Sequence, residues 1–385
     1  MPHLLPPGVP ALYLRLTGGP RKLDGGGELI MLIFDAHLDL AWNAIDWNRN
    51  LLLALEELRS QERGRPGRGR GQSTVTILEM RKGEVGICIA TLLPRLLDPL
   101  GIPTIQALSH QPAAYAHAHG QLFYYKVLVE LGVLSWIRNR KELDEHLEAW
   151  HQQPGKAPIG FILSMEGADP VLSPAQVPQW YEEGLRIIGP AHYGISPYAH
   201  GTGTEGGLLP LGPDLLREMD RVGMILDVTH LSDRCFEEAL DVFQGPVLAS
   251  HHNCRALVPH QRQLSDAQIK RLIGRGAVIG MALDAWMLYP GWVRGETSPQ
   301  VVGLEAVVDH MDHVCQLAGN ARHVAIGSDL DGGFGTEQTP RDVNSIADLQ
   351  RLPELLSQRG YSSEAIRDIC HGNWVRFFRQ AWADS

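Results

Sequence analysis

The sequence predicts a TIM-type (β/α)8 barrel with additional helices, on three observations. Eight short apolar runs recur along the chain, as many as a closed parallel barrel requires. Amphipathic segments separate them, so consecutive strands are joined by crossovers and pair in parallel. Several runs end in a carboxylate or imidazole, and this architecture builds its sites at the C-terminal ends of its strands.

The elements follow in order. Residues 1–30, rich in Pro and Gly, are expected to form a flexible leader, and residues 31–385 a single barrel domain. The first run, 32–36, leads into His37 and Asp39, whose spacing of two puts both side chains on one face of an extended segment. Residues 63–70, short, basic and Gly-rich, read as a solvated loop before the second run at 85–91. The stretch 105–152 exceeds one crossover and is expected to add extra helices, 113–131 being apolar on one face. The later runs are 159–165, ending at Glu166; 186–190, before His192; 224–228, before His230; 246–250, before His251; 277–283, before Asp284; and 323–327, before Asp329. Between them 215–222, 232–242 and 265–274 read as helices, Ser265 and Asp266 supplying N-cap chemistry to the last.

At 385 residues and 44% hydrophobic content the chain can bury a large core. A net charge of -10 argues against nucleic-acid binding, which needs concentrated Lys and Arg. Five scattered cysteines without a CxxC pair suggest no disulfide framework and fit a reducing cytoplasm. No apolar stretch approaches the ~18 residues of a membrane span, and the N-terminus lacks a continuous apolar signal region.

The strand-end residues carry the chemistry. Neutral imidazoles and carboxylates suit a divalent ion of the zinc type, and Glu166, midway between His37-x-Asp39 and the pair His230 and His251, is the natural bridge between two ions. His252 follows His251 but alternation sends it to the other face, a supporting position. Asp331 shares an Asp-x-Asp pattern with Asp329, and Asp329 is favoured as the reactive group because it comes first after its strand. Asp35 and Asp227 read as structural. His117, His119, His310 and His313 read as packing or solvent-facing residues, and Trp180 and Tyr181 as seals between helices and barrel.

Asp35-Ala36-His37-Leu38-Asp39, Met165-Glu166-Gly167, Asp227-Val228-Thr229-His230, Ser250-His251-His252, Gly327-Ser328-Asp329-Leu330-Asp331-Gly332 and Gly372-Asn373-Trp374-Val375-Arg376-Phe377 together resemble the renal (membrane) dipeptidase family, in order, over nearly all the chain beyond the leader. The resemblance implies a zinc-dependent dipeptidase acting through a hydroxide that bridges two Zn2+ per chain. It implies that His37 and Asp39 bind one ion, His230 and His251 the other, and that Glu166 bridges them. It makes His192 the group at the substrate carbonyl, Arg262 the partner of the dipeptide's terminal carboxylate and Asp329 the proton carrier. A homodimer is implied too. Departures lie at Tyr193, where relatives usually carry Asn, and at Leu283-Asp284-Ala285-Trp286-Met287, where they commonly place an aromatic against the substrate. These leave substrate preference open, an acidic Asp284 suggesting a basic side chain. The alternatives are a barrel hydrolase of another amide, lactam or lactone, and a non-catalytic metal-binding homologue; a closed structural zinc site would not need Asp329.

Overall fold

A computed structural model describes residues 31–96 and 107–383. The expected leader, the first two residues of the expected helical insertion and the last two residues of the chain lie outside the described residues. Nine parallel strands form the sheet: β1 (Ile33–Leu38), β2 (Val85–Leu92), β3 (Leu134–Trp136), β4 (Ile159–Glu166), β5 (Ile187–Gly189), β6 (Ile225–Asp227), β7 (Val247–Leu248), β8 (Ile279–Met281) and β9 (Val324–Ile326). The order β7-β6-β5-β4-β2-β1-β9-β8 is closed by a parallel bridge from Ala249, just past β7, to Ile279 of β8. This is the eight-stranded barrel the sequence predicts. Five of its strands have only two or three paired residues, shorter than the apolar runs that mark them, because the chain leaves the ladder early to bring the strand-end residues over the mouth.

The insertion is not purely helical. Helices Gln111–Glu130 and Arg140–Gln152 flank β3, which pairs with the first half of β4 while β5 pairs with its second half. Leu134-Ser135-Trp136 is too short to signal a strand by periodicity, and its pairing with β4 decides its state.

Alternation along the strands fixes what reaches the site. In β1, Phe34 points outward to stack on Phe378 at 5.7 Å and pack near Trp374 at 6.1 Å, so Asp35 and His37 belong to the opposite face. In β4, Phe161 faces outward between Tyr125 and Trp136, so Glu166, an odd number of residues on, faces inward. The segment Gly372-Asn373-Trp374 is structural: Asn373 Nδ2 donates to the carbonyls of Ala321 and Val324, and Trp374 Nε1 to that of Ile326, clamping helix Asn373–Ala381 onto β9. Helix Asp266–Gly274 opens with a full capping box between Ser265 and Gln268. Among the described residues no helix is long and apolar enough to cross a membrane, and all five cysteines are unpaired.

Candidate metal centre

The strand-end side chains converge at the C-terminal mouth of the barrel. His37 lies within β1, while Asp39 stands just beyond it at the start of helix Leu40–Ile45. Their ligand atoms lie 3.6 Å apart. Glu166, the last residue of β4, points one carboxylate oxygen at His37 Nε2 (3.5 Å) and the other at His230 Nε2 (3.2 Å), His251 Nε2 (3.4 Å) and His192 Nε2 (3.5 Å). The potential ligand atoms thus form a group of His37, Asp39 and Glu166 and a group of Glu166, His230 and His251, with Glu166 common to both; Asp329 joins a third with His37 and His251.

The donor set fits cations. His230 and His251 face each other Nε2 to Nε2 at 3.2 Å, an approach that a shared positive charge relieves. His37 Nε2 and Glu166 Oε1 are buried without a hydrogen-bond partner, although leaving such groups unsatisfied is costly. The opposite ring nitrogens are held: Thr202 Oγ1 lies 3.0 Å from His230 Nδ1 and Ser250 Oγ 2.9 Å from His251 Nδ1, which orients each Nε2 toward the centre. Thr91 Oγ1 donates to Asp39 in the same manner.

Burial holds His230, His251 and His192 well below the ordinary imidazole range, so they are neutral. Burial also disfavours charge on His37, but the carboxylates of Glu166 and Asp39 reverse this and hold it well above the usual value. Desolvation raises Glu166 and pushes Asp329 well above the usual carboxylate range.

His230 and Asp329 adopt left-handed backbone (φ 69° and 58°), uncommon for residues with a Cβ and found where the surrounding fold enforces it. Asp331 shares that conformation, but its carboxylate is occupied by Thr74 N and Oγ1, both at 2.7 Å, by Val75 N, and by Arg49 at 3.3 Å. Asp329 Oδ1 instead lies 3.9 Å from His37 Nε2. Asp35 accepts from Ser328 and His37, and Asp227 from Thr229 and Ser250, both bracing strand ends.

Arg262, 2% exposed, donates through NH2 to the carbonyl of His251 at 2.9 Å, while NH1 has no partner. His252 is buried outside the ligand groups. His117 pairs with Asp46, His119 with Glu183 and His313 with Asp266, while buried His310 accepts from Cys254 N. Trp180 is buried against Tyr115 and His119.

Sequence reasoning missed Thr91 and Thr202. Thr91 ends an apolar run, so the rule that found Glu166 would have found it; Thr202, 28 residues from His230, leaves no local signal. The basic loop also differs from expectation. Residues 63–68 are exposed, Arg68 donating to the carbonyl of Gly333 as well, but Arg70 reaches back to Trp47 and Glu62.

A closed parallel barrel with three histidines and two carboxylates sharing one glutamate at its mouth defines the class, a (β/α)8 protein with a candidate metal centre. Residues 30–384 match the family described as membrane dipeptidase (peptidase family M19), and the chain belongs to that family. Among curated relatives, dipeptidase tcpJ of Claviceps purpurea is 33% identical over 204 residues, 51% of this chain and 45% of that protein. Dipeptidase aclJ of Aspergillus oryzae is 32% identical over 238 residues, 60% of this chain and 53% of that protein. The matched region thus spans about half the length of these relatives. Among solved structures, a metallopeptidase from Rhodobacter sphaeroides, liganded with a phosphinate mimic of the dipeptide L-Ala-D-Ala, superposes with a TM-score of 0.73 at 21% identity, covering 91% of this chain and 99% of that one. A structure described as the dipeptidase AC gives 0.75 at 22% identity, over 92% and 99%.

Proposed function

We propose that the protein is a metallo-dipeptidase that hydrolyses small dipeptides with a free C-terminal carboxylate at a binuclear centre, zinc being the favoured ion. The observation that carries this reading is the position of Glu166 between two ligand groups, one with His37 and Asp39 and one with His230 and His251. Two divalent ions held there would supply Lewis acidity to a water nucleophile and to the scissile carbonyl.

The chain's own residues supply the rest. Arg262 NH1, buried and unpartnered, is suited to the terminal carboxylate, since a planar guanidinium binds carboxylates through paired bonds. His192, neutral and close to Glu166, is assigned to the carbonyl oxygen as charge develops on it. Asp329, held toward the ligands by its left-handed backbone, takes the proton of the attacking water and returns it to the leaving amine. Burial around these groups excludes bulk water and strengthens each interaction. The cytoplasmic location and the homodimer belong to the same proposal; the unpaired cysteines support the former, and light scattering on the purified protein tests the latter.

The test is turnover of an L,L- and L,D-dipeptide panel by metal-loaded protein, with metal stoichiometry measured on the same sample. About two ions per chain with turnover supports the reading. Full loading without turnover turns the assignment to another amide, lactam or lactone, or to a non-catalytic homologue.

A further inference from the structure

Two arginines at the mouth have no place in this mechanism. Arg68, on the loop between β1 and β2, donates through Nε (3.1 Å) and NH2 (2.7 Å) to the carbonyl of Gly333, a neutral acceptor. Arg294, on the loop after β8, lies over the Trp286 ring at 5.4 Å. Neither is ion-paired among the described residues.

Their anchors lie on the loops that follow β8 and β9 at the barrel mouth. Gly333 follows Asp329 by four residues in the loop after β9, and the same loop carries Gln338, which donates to Asp284 Oδ1 at 2.6 Å. Trp286 meets His260 edge to face at 4.8 Å, and His260 Nδ1 accepts from Arg262 N at 3.0 Å, so two rings link Arg294 to the segment that carries Arg262. The Tyr193 ring lies 4.9 Å from His192 and 5.0 Å from His230 at the same mouth.

Asp284 considered alone favours a basic side chain, but its surroundings offset this. Its carboxylate is buried and bonded to Gln338; burial pushes its carboxyl up to about 6, and the positive charges of Arg294 and Arg68 oppose that rise. Glu337 accepts from Gly335 N at 3.2 Å through one carboxylate oxygen, and its other oxygen is buried without a hydrogen-bond partner. Two permanent cations therefore stand on the mouth loops, one held by a carbonyl and one by an indole ring, neither by a carboxylate among the described residues.

We propose that Arg68 and Arg294 form an anion-selective rim, so that the preferred substrates are dipeptides bearing a side-chain carboxylate. The inference rests on the dipeptidase reading and names its substrate class. Charge at a partly exposed rim acts through attraction and orientation, and it is weakened by salt.

The experiment compares kcat/KM for Ala-Glu and Glu-Ala with their isosteres Ala-Gln and Gln-Ala, and binding of the same four by calorimetry, at low and high ionic strength. The expected acid-over-amide ratio is about tenfold in at least one pair, shrinking with salt and falling to within about twofold of unity in the Arg68→Met/Arg294→Met double variant. Arg68→Lys and Arg294→Lys should keep most of the ratio, separating charge from loop damage. A wild-type ratio near one in turnover and binding, or one insensitive to salt and to the double variant, overturns the rim while leaving a dipeptidase. Absence of turnover on all four with binding still discriminating acid from amide removes the dipeptidase reading and keeps the rim.

Discussion

Replacing Arg262 by Met should cost the protein its ability to tell a terminal carboxylate from a terminal amide. The side chain is 2% exposed, so little solvent screens its charge, and NH1 is left without a partner while NH2 is used on the carbonyl of His251. A hydrogen bond to a charged group contributes about 1.5–3 kcal/mol, and a bidentate arrangement in a buried site belongs at the upper end. At about 1.4 kcal/mol per tenfold, the terminal carboxylate should raise kcat/KM roughly 30- to 150-fold in the wild type and hardly at all in Arg262→Met. The assay is a double cycle: Ala-Ala and Ala-Ala-amide, each with wild type and variant, so any general damage from the lost bond to His251 divides out. Metal content of both proteins is measured alongside, because that carbonyl belongs to a proposed ligand residue. A variant that keeps its metals and the wild-type carboxylate-to-amide ratio would refute the assignment.

Three further outcomes are expected. Asp329→Asn should keep both metals yet lose on the order of 10²–10⁴ in kcat, the usual worth of a positioned acid-base group; surviving turnover with metals bound means that another group carries the proton. Gly327→Ala should destabilise the fold by at least about 2 kcal/mol, because its Cβ would fall on the carbonyl of Ser250, the residue that braces His251; an unchanged denaturation midpoint would show that the barrel can yield there. His310, 1% exposed and held down to about 4 by burial, binds a proton in the unfolded chain before it does in the native one. Its contribution to stability is therefore complete above the unfolded value near 6.5 and is lost as pH falls toward 4, an effect of about 3 kcal/mol. The stability gap between wild type and His310→Gln should narrow by that order across the window, as read from denaturant midpoints; a gap independent of pH would show that His310 titrates normally.

The sequence by itself determined the barrel and the residues at its mouth, because both are written in local pattern. Buried parallel strands are continuous apolar runs, and sites in this architecture form at their C-terminal ends, so His37, Glu166 and Asp329 are marked by position alone. Tertiary structure decided what pattern cannot encode. The three residues of β3 become a strand only because the edge of β4 is open to them. Thr202 supports His230 across 28 residues of sequence, and Arg49 with Thr74 and Val75 takes up Asp331, leaving Asp329 to face His37. Asp284 changes meaning once Gln338, Arg68 and Arg294 surround it, since the field at a buried carboxylate depends on groups that approach it from distant loops.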